Sequence, residues 1–271
     1  MLRVVISPSN VANFPDGGGH FWVCMQYVQG LLDLGIDVCW LEEFRPSTDA
    51  AWNARALSVF SERMRRHGLG GKAILYTTTD MGARTFIGVE EDEAHAVFAQ
   101  ADLLINFHYA CAPDLLAKFR RTALVDIDPG LLQFWIAHGQ LRVAPHDLYF
   151  SIGETVGARD GLIPECGLPW RRIAPPVSLR AWPYAYDPTS ESFTTVSSWW
   201  GGAGKGEFIT DGAGLIYENN KRVTFLEFVD LPRRIAQPIE LALNLGEGEP
   251  GETERAKAKG AKPGAVTDYV G

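Results

Sequence analysis

The chain is poor in cysteine, in long apolar runs and in positive charge, and each shortage removes a class of function. Its four cysteines, Cys24, Cys39, Cys111 and Cys166, stand far apart and form no Cys-x-x-Cys pair. That spacing argues against a disulfide framework or a thiolate metal centre, and predicts reduced, mostly buried thiols in a cytoplasmic protein. No apolar run approaches the ~20 residues that cross a bilayer. The start, Met1 to Pro8, is too short for a signal peptide and reads as strand. Lysine and arginine number 25 against 33 acids, a net charge of −8. That balance argues against nucleic acid or an anionic membrane as partner.

Two nucleotide fingerprints are also missing. Counting on from Gly17 and Gly19, the third glycine of a dinucleotide loop falls on Trp22, whose indole cannot make the close helix–strand contact. In Gly201-Gly202-Ala203-Gly204-Lys205-Gly206 the lysine is followed by glycine rather than serine or threonine, so this is no phosphate loop.

What is present is apolar content and alternation. Hydrophobic residues make up 46% of 271 residues, enough for a sizeable core and about two domains at ~100–200 residues each. Strand-like runs at 2–7, 37–43, 72–77, 101–108, 122–128 and 146–152 alternate with helical patterns from Phe21, over 48–67, over 90–100 and over 131–138. This rhythm predicts an α/β fold, a Rossmann-like parallel sheet with helices on both faces. Residues 153–192 are rich in proline and tryptophan and read as an ordered linker. Strand–helix–strand then restarts at 193–200, 221–228 and 238–245, an incomplete second Rossmann-like unit. The run from Glu247 to Lys262 reads as a solvated segment. The domains are therefore drawn as 1–190, linker included, and 191–271.

The chemistry gathers where the first strand feeds the first helix. Gly17, Gly18, Gly19 and His20 lie there, at the edge of an open sheet where ligands bind, and close to helix N–H donors suited to phosphate. A histidine in that place is a candidate acid or base, and equally a capping or loop-bonding residue. Asp126 and Asp128 end a strand on the same rim. They could contact a sugar or acceptor, hold a metal, or cap the next helix. Asn106, His108 and Glu154 also end strands on that rim, and Gln133 and Trp135 could wall an acceptor or belong to a plain core helix.

With Gly18-Gly19-His20 and its helix, Leu34-Gly35-Ile36-Asp37-Val38, Val125-Asp126-Ile127-Asp128-Pro129-Gly130 and the restart at Phe193 to Trp200, the chain resembles the GT-B glycosyltransferases over residues 1 to about 245. The resemblance implies an acceptor-binding N-terminal domain followed by the truncated start of a donor-binding domain. It implies transfer of a sugar from a nucleotide-sugar donor to a hydroxyl on a small molecule or glycan. His20 would be the general base, positioned by Asp126 or Asp128. Gly17 to Gly19 would approach sugar or diphosphate. No cofactor beyond the nucleotide-sugar co-substrate is implied, and no metal. The glutamate and phosphate loop of a complete donor domain have no counterpart here, so a catalytically silent acceptor- or partner-binding module is the rival reading, and a nucleotide-sugar epimerase-like enzyme a third.

Overall fold

The computed structural model describes residues 1–159, 161–199, 208–210, 216–218 and 220–244. The chain divides into two compact units, Met1–Tyr184 and Ala185–Gly271. In the first unit the elements are β1 (Arg3–Ser7), α1 (Gly18–Asp33), β2 (Asp37–Glu43), α2 (Ala50–Arg66), β3 (Ala73–Thr78), β4 (Arg84–Ile87) and α3 (Glu91–Gln100). They continue with β5 (Leu103–Asn106), α4 (Pro113–Leu116), β6 (Thr122–Asp126), α5 (Leu131–Ala137), β7 (Leu148–Ser151) and β8 (Trp170–Arg172).

The strands form one 8-stranded sheet in the order β4-β3-β2-β1-β5-β6-β7-β8. Every pairing is parallel except β3 with β4. Strand side chains alternate between faces, and the burial follows that period. Val4, Ile6, Val38 and Trp40 pack with Phe21, Met25 and Val28 of α1 and Phe60 and Met64 of α2. Val5, Cys39 and Leu41 face the other way, onto Ala94 and Phe98 of α3 and Leu115 of α4. The sheet is covered on both faces, as the alternation implied.

Local chemistry sets the helix ends. Asp49 caps α2 by accepting from the N–H groups of Ala51 and Trp52 at 2.9 and 3.1 Å. The chain leaves α1 through Gly35 at φ +73, with Gly35 N–H bonded to Leu32 O and Ile36 N–H to Leu31 O. This paired closure needs a residue that tolerates the left-handed region.

Two strands of this unit escape the sequence pattern. β4 is a four-residue antiparallel edge, and β8 adds a parallel edge from inside the proline-rich stretch. In the second unit β9 (Phe193–Ser198) pairs in parallel with β12 (Ile239–Asn244), as strand–helix–strand around α6 (Lys221–Glu227). A hairpin of β10 (Phe208–Thr210) and β11 (Ile216–Glu218) lies between β9 and α6 in sequence. Trp200, the glycine run 201–206, Leu245 and the charged stretch 247–262 lie outside the described residues. All four cysteines are free thiols. Among the described residues, no helix is long and apolar enough to cross a membrane.

Tyr27 marks a local imperfection in the first unit. Its ring meets Phe107 edge-on at 4.9 Å, and its hydroxyl is buried with no hydrogen-bond partner among the described residues. Burial pushes the phenol up to about 12. Replacing an orphaned buried hydroxyl with hydrogen removes its desolvation cost. Tyr27→Phe is expected to raise stability by about 1 kcal/mol in urea denaturation. A less stable variant would mean that the hydroxyl has a partner in solution.

Candidate active site

The sheet reverses its winding between β1 and β5. β2 and β3 lie to one side of β1 and β5 to β8 to the other, so the loops leaving Ser7 and Asn106 part and open a crevice at the strand ends. The loop after β1, residues 8–17, is anchored from the neighbouring strand. Glu42 is wholly buried and accepts from the N–H groups of Val11 and Ala12 through one oxygen, and from the Trp40 indole through the other at 2.9 Å. Asn13 and Arg45 close the same loop with two reciprocal bonds of 2.6 and 2.9 Å.

His20 is the third residue of α1 rather than a loop residue. Its Nε2–H donates to the Ser9 carbonyl at 2.6 Å. A carbonyl can only accept, so the neutral ring keeps its lone pair on Nδ1. The glycines before it divide the work. A Cβ on Gly17 would lie 2.1 Å from the Phe14 ring, whereas Cβ atoms on Gly18 and Gly19 would meet open space. No side chain caps α1, and its first turn holds no acid. Arg63 reaches the Gly17 carbonyl at 3.5 Å and lies 5.2 Å over the Phe21 ring.

Asp126 is fully buried at the end of β6. Its Oδ2 accepts from Gln133 Nε2 and Ser151 Oγ, both at 2.8 Å. Its Oδ1 accepts from the Tyr109 hydroxyl at 3.2 Å and the Asp128 N–H at 3.0 Å. These bonds join four segments of the rim, and none of them goes to His20. Tyr109 also accepts from the Ile127 N–H, and burial raises its phenol far above the usual range. Asp128 is exposed. Gln133 is sealed in, with its oxygen taking the Gly130 N–H at 2.6 Å, so it builds the start of α5 rather than an open wall.

Asn106 is likewise buried and holds the next loop. It bonds both the N–H and the carbonyl of His108, and donates to His146 Nε2 at 3.0 Å. The other nitrogen of His146 donates to Ala144 O, and burial lowers its pKa, so this ring is neutral. His108 is half-buried, and burial, with Arg45 acting in the same direction, also lowers its pKa. Trp135 is half-buried on α5, and Glu154 is exposed and paired with Arg172. Among the described residues, no three His, Cys, Asp or Glu side chains converge as metal ligands.

A groove of about 280 Å³ opens along α1, walled by Trp22, Val23, Ile127, Ile152 and Pro175. Ile127 and Ile152 directly follow Asp126 and Ser151, so the buried network sets one side of the groove. Sequence reasoning missed Glu42, Tyr109 and this groove. For Glu42 a signal existed. It stands in phase with Val38 and Trp40 on the face that packs against α1, a carboxylate at a core position.

The fold has solved relatives in shape. The chain is similar to an alpha-glucosyltransferase in complex with UDP and a 13-mer DNA containing a central A:G mismatch, with TM-score 0.51 and 12% identity over 97% of this chain and 60% of that one. An alpha-glucosyltransferase in complex with UDP-glucose and DNA containing an abasic site gives TM-score 0.50 and 13% identity, over 96% and 61%. The chain thus spans about 60% of the length of these proteins. No family model and no curated protein matches the sequence. The likeness establishes a GT-B-like fold, as the sequence resemblance implied.

It also overturns one expectation. Net charge argued against nucleic acid, yet both similar proteins hold DNA. Net charge sums the whole chain, while phosphates are met by local groups. Adjacent exposed arginines stand at 65–66, 120–121 and 171–172, and Arg65, Arg66, Arg120 and Arg172 among them are paired with carboxylates.

Glu42 makes the rim sensitive to pH. Burial raises its carboxyl to about 7 from 4.5, against three N–H donors that favour the charged form. A raised folded value means stability that is complete below the unfolded pKa and lost as pH rises through about 7. The shift corresponds to roughly 3 kcal/mol. Urea denaturation between pH 5 and 8 should therefore show a steeper loss for the native chain than for Glu42→Gln. Parallel pH profiles would sink this assignment.

Proposed function

We propose that the chain is a glycosyltransferase that moves a sugar from a nucleotide-sugar donor to a hydroxyl acceptor. The observation that carries this reading is the tautomer of His20. Its Nε2–H is held by Ser9 O, which leaves Nδ1 to take a proton at the rim of a GT-B-like sheet. The acceptor hydroxyl gives its proton to Nδ1 as its oxygen bonds to the anomeric carbon. The bond from that carbon to the diphosphate breaks, and the nucleoside diphosphate leaves with the electron pair. The uncapped start of α1, with no acid in its first turn, suits that developing charge without a metal.

Asp126 acts at one remove, by fixing Tyr109 and the segment that carries Asp128. Residues 1–190 supply the acceptor side, and the start of the donor side follows from 191. The nucleotide-sugar is the co-substrate, and no separate cofactor takes part. DNA enters as an acceptor to be tested, because both proteins of similar fold were captured on it. Internal DNA nucleotides carry no free hydroxyl, so such an acceptor must bear one on a base.

The test is transfer from UDP-glucose to a panel of glycan, small-molecule and base-hydroxylated DNA acceptors. His20→Ala should lower turnover by roughly a hundred- to ten-thousand-fold. His20→Gln, which restores an N–H donor for the Ser9 carbonyl, should be equally slow, since the lost function is the base. Full turnover in either variant, with the fold intact, would refute the assignment.

A further inference from the structure

Glu42 is wholly buried and takes no part in the transfer step, yet it faces the loop that carries the partner of His20. One of its oxygens accepts from two consecutive backbone N–H groups, those of Val11 and Ala12. Consecutive donors on one oxygen fix the planes of both peptide groups, because each peptide unit is rigid. Packing assists, since the Val11 and Ala12 side chains are buried as well. Apolar contact is non-directional, however, and does not aim an N–H.

Asn10 stands between this anchor and His20. It is exposed and has φ +65, in the left-handed region that asparagine enters more readily than most residues. Two peptide planes meet at its Cα. One carries the Val11 N–H, which Glu42 holds. The other carries the Ser9 carbonyl, which accepts from His20 Nε2–H at 2.6 Å. Only φ and ψ of Asn10 relate the two planes. With the Val11 plane fixed, the angles at Asn10 decide where the Ser9 carbonyl points. The ordinary negative range of φ lies more than roughly 100° away, and the carbonyl would turn with it. The reciprocal bonds of Asn13 and Arg45 lie further along the loop and leave these angles unset.

We propose that Glu42 and Asn10 are the positioning residues of His20: the carboxylate fixes the plane of the Asn10–Val11 peptide, and the left-handed backbone of Asn10 turns the Ser9 carbonyl onto the imidazole. The inference rests on the transferase reading for the use His20 makes of its free nitrogen. The hydrogen bond itself is measurable without turnover. The two residues act at different points of one linkage, one buried in the sheet and one on the surface, so they are separable by mutation.

The experiment is proton NMR of the His20 ring in the full chain, with turnover on the acceptor panel beside it. A proton held in so short a bond should give a downfield Nε2–H resonance protected from exchange with water, and its absence from His20→Gln assigns it. Glu42→Leu removes both acceptor oxygens, and Asn10→Val puts a β-branched residue where φ is positive, so each should abolish the resonance. Each should also lower kcat by about ten- to a hundredfold with KM little changed, as a misplaced base does. Glu42→Gln keeps an oxygen for the two loop N–H groups, and Asn10→Gly adopts the same φ without strain, so both should retain the resonance and most of the turnover. Should Glu42→Leu fail to fold, the pair at the exposed position 10 decides alone. A resonance missing from the native chain, persisting in folded Asn10→Val, or lost from folded Glu42→Gln or Asn10→Gly overturns the proposal. So does a raised KM with unchanged kcat in Asn10→Val. The expected pattern of resonances in a chain that transfers no sugar would retain the positioning and reject the transferase reading.

Discussion

One buried carboxylate holds the rim of the sheet together. Glu42 lies within a strand whose other inward residues are apolar, and it collects two backbone N–H groups from the loop after β1 together with an indole N–H. That loop contains Ser9, whose carbonyl fixes the His20 ring. The chain of dependence therefore runs from Glu42 through Val11 and Ala12 to Ser9 and then to the imidazole. A buried charge contributes little net stability, because desolvation offsets most of what its bonds return. What it supplies is position. An apolar residue at 42 could pack as well, yet it would leave those two N–H groups without a partner and the loop without its register.

A second polar network works in the same way across the crevice. Asp126 ties the loop after β5 to β6, α5 and β7, and Asn106 ties that loop to His146. Asp126, Gln133 and Asn106 are fully buried with their polar groups paired. Their consequence is felt one residue on, where Ile127, Asp128 and Ile152 emerge. Buried residues set the geometry, and their immediate neighbours line the rim. Gln133 on α5 and Asn106 at the end of β5, which read as substrate contacts, spend their polar groups on neighbouring segments of the rim.

Local pattern was enough to recover most of the first unit. The strand expected at 37–43 has those same ends, because Asp37 and Glu43 flank a run whose burial is continuous. Helices α2, α3 and α5 fall within two residues of their expected spans. The misses share one cause. β4, β8 and the β10–β11 hairpin are strands of three or four residues, too short to show a periodicity of their own and defined by the strand each pairs with. His20 was expected in a loop because glycines suggest one. Gly18 and Gly19 instead begin the helix, and the break falls at Gly17, where the Phe14 ring leaves no room for a side chain. Charge misled for a related reason, since a whole-chain sum says nothing about where cations cluster.

The proline-rich stretch gives the same lesson in its sharpest form. It reads as an ordered linker, and part of it does order, along α1. Ser178 N–H bonds Gln26, Arg180 bonds Gln29 and pairs with Asp33 at 2.9 Å, and Trp182 meets Trp22 edge-on at 5.4 Å. These contacts join residues about 150 positions apart. They bring Pro175 and Pro176 to the groove and fix the amide of Gln26. The groove is complete only where the segment following β8 lies against the first helix. A site assembled from the first helix and a strap 150 residues downstream cannot be read from either alone.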